Sequence, residues 1–204
     1  MYINNTLEKY IEDLSSKQPA PGGGSASACC SVLGISLLLM VSNFTVDKKG
    51  YEQYQNEIVD ILEKLKEYKK RLLELIDLDV AVYQKLNSAY KLSKESDEQI
   101  KIRQETIQQT LKEAIIVPLE ILDISFKGLK IAERLNIIGN KNLISDVYCG
   151  VVFLKGGLLG AKFNIDINLN SIKEEKFVNE KKNYVKKFLD ESGNIVEKIL
   201  EGGK

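Results

Sequence analysis

Pro19-Ala20-Pro21-Gly22-Gly23-Gly24-Ser25, followed without a single charge by Ala26 through Val46, is the stretch around which the chain must be arranged. Two prolines and three glycines cannot continue a helix, so this segment is a loop. Ser25 is suited to cap the helix that follows by accepting hydrogen bonds from its first N–H groups. The helix itself is rich in small residues (Ala26, Ser27, Ala28, Cys29, Cys30, Ser31, Gly34). A helix start behind glycines exposes N–H groups and the positive end of the helix dipole, which suits an anion or a polar ligand. The same loop also serves as a plain connector. The apolar run 26–41 is about 16 residues long and is broken by serines and a glycine. That falls short of the roughly 20 residues that span a bilayer, so a helix buried in protein is expected.

Working outward, the rest reads as helices. Residues 2–15 carry Ile3, Leu7, Tyr10, Ile11 and Leu14 at helical spacing and form an amphipathic first helix. After a polar break at Asp47-Lys48-Lys49-Gly50, a long helix runs from about Tyr51 to Leu92. Its apolar stripe is Ile58, Leu62, Leu65, Leu72, Ile76, Tyr83, Leu86 and Tyr90. The step from Ile76 to Tyr83 lands on Asp79, which puts a carboxylate in the apolar stripe. Such a group is costly unless paired or put to use. It is either a structural Asp bonded to a neighbouring helix end or an acid/base whose pKa desolvation raises.

A helix over about 96–136 follows, with Pro118 inside it as a kink. Beyond the break Gly139-Asn140-Lys141-Asn142, Ser145 and Asp146 open another small-residue helix (Cys149, Gly150, Gly156, Gly157, Gly160, Ala161). Four glycines in a helix interior need a reason. Close packing on the other small-residue helix is that reason, and it is expected to bring Asp146 near the Gly22–Ser25 loop. Asp146 is otherwise a dipole-stabilised helix start. Asn164 and Asn168 share a face and can bond a ligand or close a helix end. A Lys/Glu-rich helix over about 171–201 lies outermost. The expectation is an all-α bundle of about six helices in one domain over 1–204. It contains a long antiparallel pair and a buried small-residue pair.

Composition narrows the chemistry. The 204 residues include 44% hydrophobic and 28% charged, with zero formal net charge, so nothing points to nucleic acid or an acidic membrane surface. Three cysteines make no disulfide framework or zinc pattern, and they suit a reducing cytoplasm as small packing residues. The first residues lack a basic region ahead of an apolar one, so no signal peptide is expected. There is no histidine, which excludes Ser-His-Asp and Cys-His nucleophiles and a His general base.

The segment Leu14-Ser15-Ser16-Lys17-Gln18-Pro19-Ala20-Pro21-Gly22-Gly23-Gly24-Ser25 resembles the opening signature of the formiminotransferase-cyclodeaminase C-terminal family. The likeness continues at Asn43-Phe44-Thr45 through Lys48, Lys49 and Tyr51, at Leu75-Ile76-Asp77-Leu78-Asp79, and at Val117-Pro118-Leu119. It recurs at Gly139-Asn140-Lys141-Asn142-Leu143-Ile144-Ser145-Asp146 and at Asn164-Ile165-Asp166-Ile167-Asn168-Leu169. The resemblance implies an all-helical cytoplasmic homodimer acting on one-carbon units of tetrahydrofolate, with sites near the subunit interface and neither metal nor further cofactor. The implied reaction is that of a formimidoyltetrahydrofolate cyclodeaminase. The alternatives are a methenyltetrahydrofolate cyclohydrolase and a non-catalytic folate-binding or helical oligomerisation module. On this resemblance Asp79 and Asp146 are the acid/base candidates. Pro21, Gly22, Gly23, Gly24 and Ser25 line the folate; Ser145, Asn164 and Asn168 bind or orient it. Lys48 and Lys49 either meet the glutamate tail, single or polyglutamylated, or simply place positive charge at a helix end.

Overall fold

The computed structural model describes residues 1–201, so the last three residues of the expected domain lie outside the described part. It contains seven α-helices: α1 Leu7–Ser15, α2 Gly23–Asn43, α3 Gln55–Tyr90, α4 Asp97–Ala114, α5 Ile116–Ile138, α6 Ile144–Ser171 and α7 Glu175–Glu201. Short 3-10 turns at Tyr2–Asn4, Glu52–Tyr54 and Lys141–Leu143 complete the chain, and there are no strands among the described residues. The all-α bundle is therefore as expected.

The count exceeds six because the segment 96–136 is two helices. Pro118 has no N–H to give Ala114, so the ladder opens at Ile115 and α5 restarts there. The long antiparallel pair is α3 against α4 and α5. Its register is fixed by Arg71 on Glu120 (2.6 Å), Arg134 on Glu57 (2.5 Å) and the Arg103 guanidinium donating to the Tyr90 carbonyl (3.1 Å).

Helix α2 is the centre of the bundle, with Ala28, Ile35, Leu38 and Val41 fully buried. It packs antiparallel to α6, and the small residues make the approach possible. A methyl group on Gly157 would lie 1.9 Å from Ser31 Oγ, and one on Gly34 would lie 2.9 Å from the Gly150 carbonyl. The serines of α2 do not cost buried hydrogen bonds. Ser27, Ser31, Ser36 and Ser42 each donate to the carbonyl four residues back.

Both α2 and α6 are long and apolar enough to cross a membrane by length and composition. The α2 helix is continuous over 21 residues, longer than its apolar run suggested, and most of it is covered by protein. Only a third of the corresponding α6 window is covered. Its outer face shows Val152, Phe153, Leu159, Phe163 (61% exposed) and Ile167 (70% exposed). Beside it α2 shows Cys30, Leu33 and Phe44, so one apolar strip runs along both helices.

Helix α1 buries only Tyr10 of its expected apolar face. Tyr10 and Asp13 face inward, while Ile3, Leu7, Ile11 and Leu14 are exposed. Burial of Tyr10 in the core and its hydroxyl on Ser25 Oγ (3.1 Å) set its place, while Asp13 ties the segment together by accepting from Tyr2 Oη (3.1 Å), Lys9 (2.8 Å) and Gln18 (3.2 Å).

Candidate active site

The three glycines lead directly into α2, whose N-cap is Gly22 rather than Ser25. No side chain of the loop caps the helix. Asp79 of α3 does so instead: its Oδ2 accepts the Ser25 backbone N–H at 2.8 Å. A carboxylate at a helix N-terminus meets both the free donors and the dipole. Gly24 is required by this docking, because a Cβ there would lie 2.0 Å from Asp79 Oδ1. Gly23 has more room, 3.3 Å from Asn164 Nδ2, and Gly22 faces open space.

Asp79 also faces a cleft of about 290 Å³. Pro19, Ala20 and Gly22 to Gly24 form one wall, Val82, Tyr83 and Leu86 of α3 another, and Asn164, Ile167 and Asn168 of α6 a third. Ala114 and Pro118, flanking the break between α4 and α5, close it. Burial pushes the Asp79 carboxyl above the usual carboxylate range, and the Ser25 N–H pulls it part of the way back. Among the described residues no Lys or Arg lines the cleft. Asp79 is thus the expected helix-end ligand, and its carboxyl is also desolvated.

Asn164 and Asn168 come to the site together, as expected. Each amide nitrogen donates to the carbonyl four residues back, Gly160 (2.9 Å) and Asn164 (3.1 Å), which leaves each side-chain oxygen as an acceptor. Ser25 contributes its backbone only. Its fully buried hydroxyl pairs with Tyr10 Oη at 3.1 Å, on the side away from the cleft, and so buttresses the first turn of α2. Tyr2 N donates to Asp77 (2.5 Å), two residues before Asp79, so the N-terminal segment holds both elements of the contact. Pro21 is buried beneath the loop, and the Ala20–Pro21 bond is cis.

Other expected site residues lie elsewhere. Because α2 and α6 are antiparallel, Gly160 faces Ser27 while Gly150 faces Gly34 and Leu38. Asp146 and Ser145 are therefore at the far end of α2, roughly 27 Å along α6 from Asn164. They do not join Asp79 within one chain, which corrects the expected proximity to the Gly22–Ser25 loop. Lys48 and Lys49 lie at that same far end, in the turn after α2. The Asn140 motif is structural there: its N–H donates to Thr45 Oγ1 (2.9 Å) and its amide to the Phe44 carbonyl (3.0 Å), closing the C-terminus of α2.

Cys29 and Cys30 have their thiols pushed up by burial, in keeping with packing residues, and Asp166 pairs with Lys162 at 2.5 Å. Among the described residues no group of three His, Cys, Asp or Glu side chains is arranged for a metal ion. The sequence reading assigned no site role to Tyr10 or Tyr83. Tyr83 lies four residues after Asp79, a spacing that puts both on one face and could have marked it.

A buried carboxyl, two side-chain amide oxygens and the first turn of α2 thus meet around one cleft. The chain matches the formiminotransferase-cyclodeaminase family over residues 6–187 and belongs to it. It is 33% identical over 178 residues to the methenyltetrahydrofolate cyclohydrolase of Methylorubrum extorquens, covering 87% of this chain and 86% of that protein. It is 26% identical to the mouse and 29% identical to the chicken formimidoyltransferase-cyclodeaminase. In those two comparisons this chain spans about a third of the longer proteins. The crystal structure of formiminotetrahydrofolate cyclodeaminase from Thermotoga maritima is similar with a TM-score of 0.86. The sequences are 29% identical, and the match covers 99% of this chain and 98% of that one.

Proposed function

We propose that the chain is a formimidoyltetrahydrofolate cyclodeaminase, forming 5,10-methenyltetrahydrofolate and ammonia. The observation that carries this is Asp79, a buried carboxyl held over the start of α2 in a cleft that no Lys or Arg among the described residues lines. N10 of the substrate attacks the carbon of the protonated formimidoyl (amidinium) group. Asp79 accepts the proton that N10 loses and delivers it to the departing amine, so one group serves both steps. The methenyl product is a cation, and a cleft whose charge is a carboxylate favours it electrostatically. The side-chain oxygens of Asn164 and Asn168 accept from N–H groups of the pterin edge. The likeness to the Thermotoga maritima enzyme over nearly the whole of both chains supports this reading.

A second reading is favoured by the likeness to the Methylorubrum extorquens cyclohydrolase along most of both chains. There water attacks the same methenyl carbon and gives one proton to Asp79, and the remaining hydroxyl proton passes to N5 as the C–N5 bond opens to give 10-formyltetrahydrofolate. An absorbance assay for methenyltetrahydrofolate separates the two. Formation from 5-formimidoyltetrahydrofolate supports the first, and loss of added methenyltetrahydrofolate the second. If neither rate exceeds the uncatalysed one, both fail and the folate-binding module takes their place.

We further propose that the chain works as a homodimer joined through the exposed apolar residues Leu33 of α2 and Val152, Phe153, Leu159 and Phe163 of α6, with Ile167 left at the mouth of the cleft. A two-fold axis perpendicular to α6 sets the Asp146 end of one copy beside the Asp79 end of the other. Asp146 and the lysines of the far end then serve the partner's cleft. The complex is cytoplasmic in this proposal. Sedimentation of the purified protein as a monomer without detergent would overturn the dimer, and detergent-dependent solubility would assign the strip to a membrane.

A further inference from the structure

Tyr83 is the single aromatic side chain lining the cleft, one helical turn beyond Asp79 on the same face of α3. It is 43% exposed, and among the described residues it stacks on no other ring and its hydroxyl has no hydrogen-bond partner. Ile167 of α6, 70% exposed, lines the same cleft. Two largely bare apolar side chains thus share one cleft with Asp79 and Gly24. Core packing does not require this arrangement, since neither side chain is covered. A flat ring inserted between them would be held on its faces and read at its edge by the Asn164 and Asn168 oxygens. The chemistry of the rest of the cleft fixes which end of a folate enters. Among the described residues no Lys or Arg lines it, and Asp79 already occupies the Ser25 N–H at the start of α2. An acidic glutamate tail meets no cationic side chain among them.

We infer that Tyr83 is the stacking platform for the flat ring system of the substrate, which enters ring-first between Tyr83 and Ile167 with its glutamate tail directed out of the cleft. This rests on the folate reading above and adds to it a binding residue and an orientation. Face-to-face burial of a heteroaromatic ring on an aromatic side chain is worth roughly 1–3 kcal/mol when the side chain is cut to Ala.

The test is calorimetric binding of 5-formyltetrahydrofolate, a stable N5-substituted analogue, and of its tail-less counterpart, 5-formyltetrahydropteroate. Tyr83→Phe is expected to bind within about twofold of wild type, because the ring is kept. Tyr83→Ala and Tyr83→Leu are expected to weaken binding about 5- to 150-fold, by the same factor for both ligands. Because Tyr83 is half exposed, both variants should retain the wild-type helical signal. Wild-type binding together with an unchanged Kd in Tyr83→Ala overturns the inference alone. So does an effect of Tyr83→Ala confined to the ligand that carries the tail. Absence of binding by the wild-type protein overturns the folate reading itself and this inference with it.

Discussion

Adding one methyl group at each glycine of the loop in turn separates a steric role from a flexible one. In Gly24→Ala the new Cβ would lie 2.0 Å from Asp79 Oδ1 and 2.5 Å from its carboxyl carbon, so the carboxylate must leave the Ser25 N–H. A hydrogen bond to a charged group contributes about 1.5–3 kcal/mol. If the docked position is the reactive one, kcat/KM should fall about 10- to 150-fold. In Gly23→Ala the contact is 3.3 Å to the end of the Asn164 amide, which can give, and a loss of a few-fold at most is expected. Gly22→Ala meets nothing within 4 Å and should behave as wild type. The assay is methenyltetrahydrofolate absorbance at saturating and limiting substrate, with circular dichroism to confirm folding. Equal losses at all three glycines, or full activity in Gly24→Ala, would refute the reasoning.

The dimer makes a stronger demand on Asp146. Asp79→Asn and Asp146→Asn should each be nearly inactive, yet dimers re-equilibrated from an equal mixture should regain about 25% of wild-type activity. Half of them are then mixed, and each mixed dimer holds one intact site of two. Confirmed mixed dimers without activity would place Asp146 outside the partner's cleft. Asp79 also leaves a signature in stability. Its carboxyl titrates above the ordinary range in the native state, so its contribution favours folding at low pH and is lost as pH rises through the native pKa. Relative to wild type, Asp79→Asn should gain in Tm as pH rises from about 4 toward neutrality, because Asn still accepts the Ser25 N–H. A gain that shrinks over that range would contradict the burial argument. Gly157→Ala would put a Cβ 1.9 Å from Ser31 Oγ and 2.8 Å from the Ser27 carbonyl. Forcing α2 and α6 apart should cost about 1–3 kcal/mol, read as a lower Tm, and an unchanged Tm would show that the pair can adjust.

Much of the fold was legible because it rests on local signals. The proline-glycine loop, the uncharged run after it and the glycines of α6 specify a close helix pair, and the structure contains it. The stripe on α3 placed Asp79 among apolar residues, which is where the cleft uses it. Asn164 and Asn168 were paired by their spacing of four. What failed needed the third dimension. Helix direction, not composition, carries Asp146 and Ser145 to the end of α2 opposite the glycine loop. The cap on α2 comes from a residue 54 positions along the chain, so Ser25 looked like the cap when Asp79 holds that place. On α1 the pattern identified Tyr10 but not Asp13, because the hydrogen bonds that hold Asp13 inward leave no periodic trace. Tyr83 was assigned to the core because an aromatic residue in an apolar stripe has the same pattern whether covered or lining a cleft.

The account stands most directly on whether Asp79 is the proton-transferring group of a one-carbon folate reaction. The measurement is turnover of 5-formimidoyltetrahydrofolate and of methenyltetrahydrofolate by wild-type and Asp79→Asn protein, alongside binding of 5-formyltetrahydrofolate by both. The expected result is turnover of at least one substrate by wild type, a loss of about 10²- to 10⁴-fold in Asp79→Asn, and analogue binding retained by the variant. Wild-type rates preserved in a folded Asp79→Asn protein would contradict the account and leave Asp79 as the cap of α2 alone.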